Sequence, residues 1–380
     1  MAQILQPSWE SAGERAGAGD GPAHIRPRRG THRSPPARVP SRSPQPPLNS
    51  RRGPCWGDFW MPTDEQRLAG GVYGLLIGDA LGVPYEFHPP ARIPPPAQIE
   101  FEPPWGFHRA HAGVPPGTWS DDGAHANCLL ASLLDRGQLD VEDLGRRLVN
   151  WLDLGYMAVE GKVFDVGIQT RSALSAFREG ASGVESGPRG ERDNGNGSLM
   201  RVLPLALWHT GPDETLAADA MRQSLVTHGH LRSQVCCALY CLWARRTLEG
   251  VAQPWEEAVA SFHRLFPTGT AAREELDTQV RPHTPEVGKG SGYVVDCLLS
   301  ARDCVRRGAT YEQVVKAAVA LGHDTDTTAA VAGGIAGVRE GVEAIPGRWR
   351  AALRDKDAVE PMVTALLELR GRRPSSPRGG

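Results

Sequence analysis

Two short acidic stretches carry the side chains best suited to chemistry. Asp324 and Asp326 stand one residue apart, interleaved with the hydroxyls of Thr325, Thr327 and Thr328. Far upstream, Ser120 precedes Asp121 and Asp122. Every one of these donors is an oxygen, which suits a hard cation such as Mg2+ or Mn2+ and not zinc. A plainer reading stands beside this one. Ser, Thr and Asp are ordinary N-caps and first-turn residues, and each stretch opens a helical pattern. Two clusters of one design, however, point to a shared site.

The elements around them must bring them together. Before Asp324, Thr310 and Gln313 form a capping-box pattern, and Val314, Val315, Ala318 and Val319 make an apolar stripe. Gly322 is where that helix should stop. After Asp326 comes Ala-Ala-Val-Ala-Gly-Gly-Ile-Ala-Gly337, a helix of small residues. Each interior Gly costs roughly 1 kcal/mol relative to Ala, so such a helix needs close packing to hold. Asp324 and Asp326 are therefore placed at the start of a buried helix, where carboxylates must be paired, hydrogen-bonded or metal-bound. A helix over 64–82 has Leu68, Val72, Leu75 and Leu76 on one face. Gly70, Gly74, Gly78 and Gly82 recur every fourth residue, so another backbone or a ligand comes very near. Asp79 extends the apolar face and fits either a satisfied core carboxylate or a site residue. Glu86 follows directly.

Residues 84–116 hold ten prolines with Trp105, Phe107, His108 and His111, and read as a long irregular loop walling or covering the site. An amphipathic helix runs to Leu134. Further helices are predicted at about 141–154, 167–179, 214–227, 232–248, 255–266 and 293–306, with almost no strand signal. Asp165 lies just before one of them. Asp193-Asn-Gly-Asn-Gly-Ser198 is a glycine-rich turn; Ser198 would cap a short helix interrupted at Pro204, and free N–H groups there could hold a phosphate. An ordinary turn explains the same residues. His228 and His230 sit between two helices, as caps, packing or ligands. Tyr293 is a possible stacking ring.

Bulk properties narrow the class. The 380 residues are 40% hydrophobic, as suits a soluble globular protein. No apolar stretch approaches the roughly 20 residues of a membrane span, and no signal peptide is visible. The seven cysteines have no paired CxxC spacing and read as reduced core thiols in a cytoplasmic protein. A net charge of −2 gives no case for nucleic acid. Residues 1–60 differ from the rest: Pro, Arg, Ser and Gly dominate, and the stretch carries +5 against −7 for residues 61–380. It reads as a disordered extension, or as residues upstream of a true start at Met61. The folded domain is expected over 61–370, with a frayed tail over 371–380.

Seven motifs in this order resemble the ADP-ribosylglycohydrolase family, which includes the dinitrogenase reductase-activating glycohydrolases. They are Gly78-Asp-Ala-Leu-Gly82, Trp119-Ser-Asp-Asp122, Asp165-Val-Gly167, Gly195-Asn-Gly-Ser-Leu-Met-Arg201, Thr227-His228, Ser291-Gly-Tyr-Val294 and Gly322-His-Asp-Thr-Asp-Thr327. The resemblance implies an all-α, orthogonally packed multi-helix domain with a binuclear Mg2+ or Mn2+ site at helix N-termini. It implies Ser120, Asp121, Asp122, Asp324, Asp326 and Thr327 as ligands. Asn196, Gly197 and Ser198 would cradle the diphosphate of ADP-ribose, with His228 and Tyr293 also binding substrate. The reaction implied is hydrolysis at ribose C1 of an ADP-ribosylated protein or small molecule, with Asp122, Asp165 or Glu86 as the catalytic carboxylate. One departure is Gly123, where the family usually has Thr; a hydroxyl near the metals would be missing. Two other classes fit the same residues: a metal-dependent nucleotide phosphoesterase, and a non-catalytic ADP-ribose-binding or structural protein on the same fold.

Overall fold

Helix α1, Asp64–Gly82, begins at a reciprocal cap. The Thr63 hydroxyl accepts from the Gln66 amide at 3.2 Å, and the Gln66 side chain accepts from the Thr63 amide at 2.8 Å. The computed structural model describes residues 61–285 and 287–372. The expectations for residues 1–60, and for the tail beyond Arg372, fall outside the described residues.

The order continues with α2 Asp121–Arg136, α3 Val141–Leu154, α4 Ile168–Arg178, α5 Leu203–Trp208, α6 Asp213–Ser224 and α7 Leu231–Leu248. Then come α8 Pro254–Leu265, α9 Ala271–Glu275, α10 Val294–Arg307, α11 Tyr311–Val319, α12 Thr325–Glu340, α13 Gly347–Ala352 and α14 Lys356–Gly371. The fold is all-α. Among the described residues there is no strand, only an isolated bridge between Gly195 and Tyr293. Helices α2 and α3 end where Gly137 and Gly155 turn left-handed.

The centre is the pair α1 and α12. They run antiparallel with their backbones almost touching. A methyl group added at Gly70, Gly74 or Gly78 would lie 2.2, 2.5 or 2.1 Å from the carbonyl oxygens of Gly337, Gly333 and Ala329. One added at Gly82 would meet the backbone of Asp326 at 2.3 Å. The glycine stripe thus faces a backbone, and its four-residue step matches that of the opposite helix. This register sets the C-terminus of α1, with Asp79, beside the N-terminus of α12, with Asp324 and Asp326. The Thr325 hydroxyl donates to the Gly82 carbonyl at 2.8 Å and pins the junction. The same packing corrects one expectation. The segment Asp64–Tyr85 is, by length and composition, apolar enough to cross a membrane, its many glycines and alanines interrupting the larger apolar residues. Yet 94% of that window is buried inside the fold, so it is a core helix.

Local differences have local causes. Pro204 does not interrupt a helix; it sits in the first turn of α5, where its missing N–H costs nothing. Ser198 caps nothing: its hydroxyl accepts from Ser224 Oγ at 2.8 Å. At α11 the Thr310 hydroxyl caps the Gln313 amide, but the Gln313 side chain returns to the Ala309 amide and not to that of Thr310. The long proline loop, with three short 3-10 turns, is tied down as a wall. His323 N donates to the His88 carbonyl and Phe87 N to the His323 carbonyl, each at 2.7 Å.

Candidate active site

Asp79 is the pivot between α1 and α2. Both its oxygens accept from the Ser120 amide, at 2.9 and 3.0 Å, and one accepts from the Gly123 amide at 2.7 Å. A carboxylate from one helix therefore satisfies the first-turn N–H groups of another, while the Ser120 hydroxyl caps the Asp122 amide at 3.3 Å. This fixes Asp121 and Asp122 against the junction of α1 and α12. Asp79 is both a satisfied core group and a site group. Its carboxyl is pushed up to about 7, chiefly by burial and against the pull of those amides.

Across the junction, Asp324 occupies the N-cap position of α12, but its side chain caps nothing. Its Oδ2 accepts from Asn196 Nδ2 at 2.8 Å. The hydroxyls of Ser120 and Thr327 both donate to Asp122 Oδ2, at 3.1 and 3.2 Å. One oxygen each of Asp79, Asp122 and Asp326 lies within 4.8 Å of the others, and the same holds for Glu86, Asp324 and Asp326. Asp122 Oδ1 and Asp326 Oδ2 are buried without a protein partner. Burial, then the neighbouring carboxylates, drive Asp121, Asp122 and Asp326 well above the usual carboxylate range. All of the acidic residues that the sequence singled out thus gather at one place. The plain capping alternative holds for Ser120 alone.

Glu86 and Asp165 stand at the outer edge with His111, their ligating atoms within 4.8 Å of one another. His111 Nε2 is 2.7 Å from Glu86 Oε2. Burial, then Asp165, Asp324, Asp122 and Asp79, raise Glu86 to about 10, whereas Asp165 rises to about 6, from burial and Asp324. Phe87, His111, Asp165 and His323 all adopt positive φ, between 48° and 63°. Such backbone costs a side-chain-bearing residue roughly 1–2 kcal/mol, and it clusters here at the site.

A cleft of about 600 Å³ opens over this cluster, lined by Glu86, Asp121, Asp165, Asp324 and Thr327 on one side. Gln169, Thr170, Glu191, Gly195, Asn196, Gly197, His228 and Tyr293 line the other side. Two amides of the glycine-rich turn are already bonded. The Gly195 amide donates to Gln169 Oε1 and the Asn196 amide to the Gly292 carbonyl. Ser198 is fully buried and faces Cys237, behind the turn. Tyr293 is 39% exposed, with its hydroxyl accepting from Arg232 Nη1 at 3.2 Å. Sequence reasoning placed His111 only in the loop over the site, and missed Gln169 and Glu191, which belong to none of its motifs.

The family model described as ADP-ribosylglycohydrolase matches residues 61–375. The chain belongs to the ADP-ribosylglycohydrolase family. It is 30% identical over 322 residues to the ADP-ribosyl-[dinitrogen reductase] glycohydrolase of Rhodospirillum rubrum, covering 82% of this chain and 98% of the relative. It is 31% identical over 313 residues to the ADP-ribosylarginine hydrolase Tri1 of Pseudomonas putida strain GB-1, covering 80% and 78%. A solved structure described as an ADP-ribosylglycohydrolase-related protein complex matches with TM-score 0.65 and 31% identity, over 80% of this chain and 98% of that one.

Two features of this family member follow from the geometry. A side chain at Gly123 would crowd the core. Its Cβ would lie 2.7 Å from Trp119 Cγ and 2.8 Å from Leu76 Cδ2, in the core. The Gly123 contribution to the site is its amide, given to Asp79. The acidic cluster also fits a hard divalent cation. It offers buried, partnerless carboxylate oxygens beside the Ser120 and Thr327 hydroxyls, and among the described residues no Lys or Arg is bonded to Asp79, Asp122, Asp324 or Asp326.

Proposed function

We propose that this chain is a cytoplasmic, Mg2+- or Mn2+-dependent hydrolase that cleaves ribose C1 of ADP-ribose from an arginine guanidinium on a protein or small molecule. The observation that carries this is the gathering of Asp79, Asp122, Asp324 and Asp326 beside Glu86 under one cleft, with oxygens left unpartnered. The cleft volume lies within the range of small-molecule sites, roughly 300–1,000 Å³. Two cations would be held by Ser120, Asp121, Asp122, Asp324, Asp326 and Thr327, with Asp79 adjoining. When bound, such ions supply positive charge that orients ribose hydroxyls and eases deprotonation of water. The arginine acceptor follows the printed name of one relative. Six cysteines are free buried thiols, which supports a reducing compartment.

The chain's own carboxyls divide the proton work. Environments that push two carboxyls apart mark acid and base. Asp165, nearer its ionised range, accepts a proton from the attacking water. Glu86, bonded to His111 at the cleft edge, hands a proton to the departing guanidine nitrogen as the C1–N bond breaks. Asp122 is committed to the hydroxyls of Ser120 and Thr327, which suits a ligand better than a base.

The experiment offers ADP-ribosyl-arginine and ADP-ribosyl-serine peptides side by side and measures ADP-ribose and AMP. Wild type should release ADP-ribose from the arginine peptide, lose activity in EDTA and regain it with Mg2+ or Mn2+. Asp122→Asn and Asp326→Asn should each lower metal stoichiometry and abolish release. Full activity in EDTA or in either variant would sink the metal reading. AMP as product would point to a phosphoesterase.

A further inference from the structure

The turn at 195–198 is held from behind by a buried cation that the proposed chemistry does not use. Arg201 has no exposed surface. Its Nη1 donates to the Gly197 carbonyl at 3.1 Å and to Thr227 Oγ1 at 2.6 Å. Its Nε and Nη2 donate to the side chain and main chain of Gln223, each at 2.9 Å. Thr227 is equally buried, and its Oγ1 lies 2.8 Å from His228 Nδ1.

The bonds along this chain point to one arrangement of protons. A guanidinium has only donors, so Thr227 Oγ1 accepts from Arg201. A hydroxyl has a single proton, and a buried hydroxyl must place it. Nδ1 of His228 is the acceptor within reach. Nδ1 is then unprotonated, and the ring proton resides on Nε2. That nitrogen lies against the turn: a Cβ on either Gly195 or Gly197 would stand 3.3 Å from it. The two glycines of the Gly-Asn-Gly turn thus leave a slot for the edge of the His228 ring, on the lining of the cleft.

We propose that Arg201 and Thr227 are positioning residues that lock His228 as its neutral Nε2–H tautomer, a fixed hydrogen-bond donor facing the cleft between Gly195 and Gly197. The ligand atom opposite it must be an acceptor oxygen of a phosphate or ribose; this half rests on the proposed ADP-ribose substrate. His228 cannot act as a general base, since its one free nitrogen already carries the proton. Burial and the nearby Arg201 charge keep the ring neutral by lowering it to about 3, and His125, the other ring that senses it, is itself held neutral by burial.

The test is long-range proton–nitrogen correlation on the full chain with 15N-labelled histidine, His228 being assigned by its loss in His228→Gln. Wild type should show a protonated Nε2 and a bare Nδ1, unchanged from about pH 5.5 to about pH 8. Thr227→Ser should keep this pattern. Thr227→Val should lose it and weaken ADP-ribose binding about three- to tenfold, the worth of one hydrogen bond. A proton on Nδ1, or an imidazolium, in wild type would overturn the lock, whether or not the variants fold. A locked ring whose Nε2 signal ignores ADP-ribose would overturn the ligand half alone. ADP-ribose that shifts the signal in a protein unable to hydrolyse the arginine peptide would count against the proposed reaction instead.

Discussion

Consider replacing Glu86 by Gln in protein stripped of divalent metal. In the fold, burial and then the charges of Asp165, Asp324, Asp122 and Asp79 raise the Glu86 carboxyl from 4.5 to about 10. The unfolded chain ionises it near its ordinary value. A raised acid stabilises the fold only while both states are protonated. That stability is complete below about pH 4.5 and is lost as pH climbs toward the folded value. At pH 7 the interval is about 2.5 units, and at about 1.4 kcal/mol per unit the cost is roughly 3 kcal/mol. This is an upper figure, because neighbouring carboxylates take up protons too. Gln has the shape of protonated Glu and can donate to His111 Nε2 as that form does. The variant should therefore match wild type near pH 4.5 and exceed it by up to about 3 kcal/mol at pH 7. Urea unfolding in EDTA across that pH range reads the difference directly, and saturating Mg2+ or Mn2+ should shrink it. A gap independent of pH, or a variant less stable than wild type at pH 7, would refute the claim that Glu86 is buried among like charges.

Two further substitutions test the framework. Gly78→Ala would gain about 1 kcal/mol from helix propensity alone, but its methyl group meets the Ala329 carbonyl at 2.1 Å. Overpacking against backbone costs about 1–3 kcal/mol or more, so thermal unfolding should show a net loss of stability and a lower melting temperature. Gly123→Thr should cost a similar 1–3 kcal/mol, roughly, through Trp119 and Leu76, and calorimetry should find metal affinity no tighter than wild type. Tighter binding would mean that residue 123 does face the carboxylates.

The sequence by itself determined the elements and the participants. Apolar spacing and caps placed α1 to α4, α6 to α8 and α10 to α12 to within a few residues, but gave no sign of α9, α13 or α14. The acidic runs around Asp122 and Asp324 announced themselves because ligand-bearing residues lie next to one another in the chain. The glycine period of α1 also foretold a close backbone neighbour, since a side-chain-free stripe has no other use in a core. Tertiary structure decided which backbone that was. The antiparallel register of α1 on α12 sets Asp79 beside the acidic cluster, and the packing of α2 on α1 gives it the Ser120 and Gly123 amides. It decided that Gly123 opens toward Trp119, that Asn196 spends its amide group on Asp324, and that the glycines at 195 and 197 make room for His228. It also assigned α1 to the interior, where composition alone would allow a membrane. The reason is the same in each case. Local pattern follows from the chain's own periodicity, whereas a hydrogen-bond partner more than a hundred residues away is fixed only when packing brings the two helices into contact.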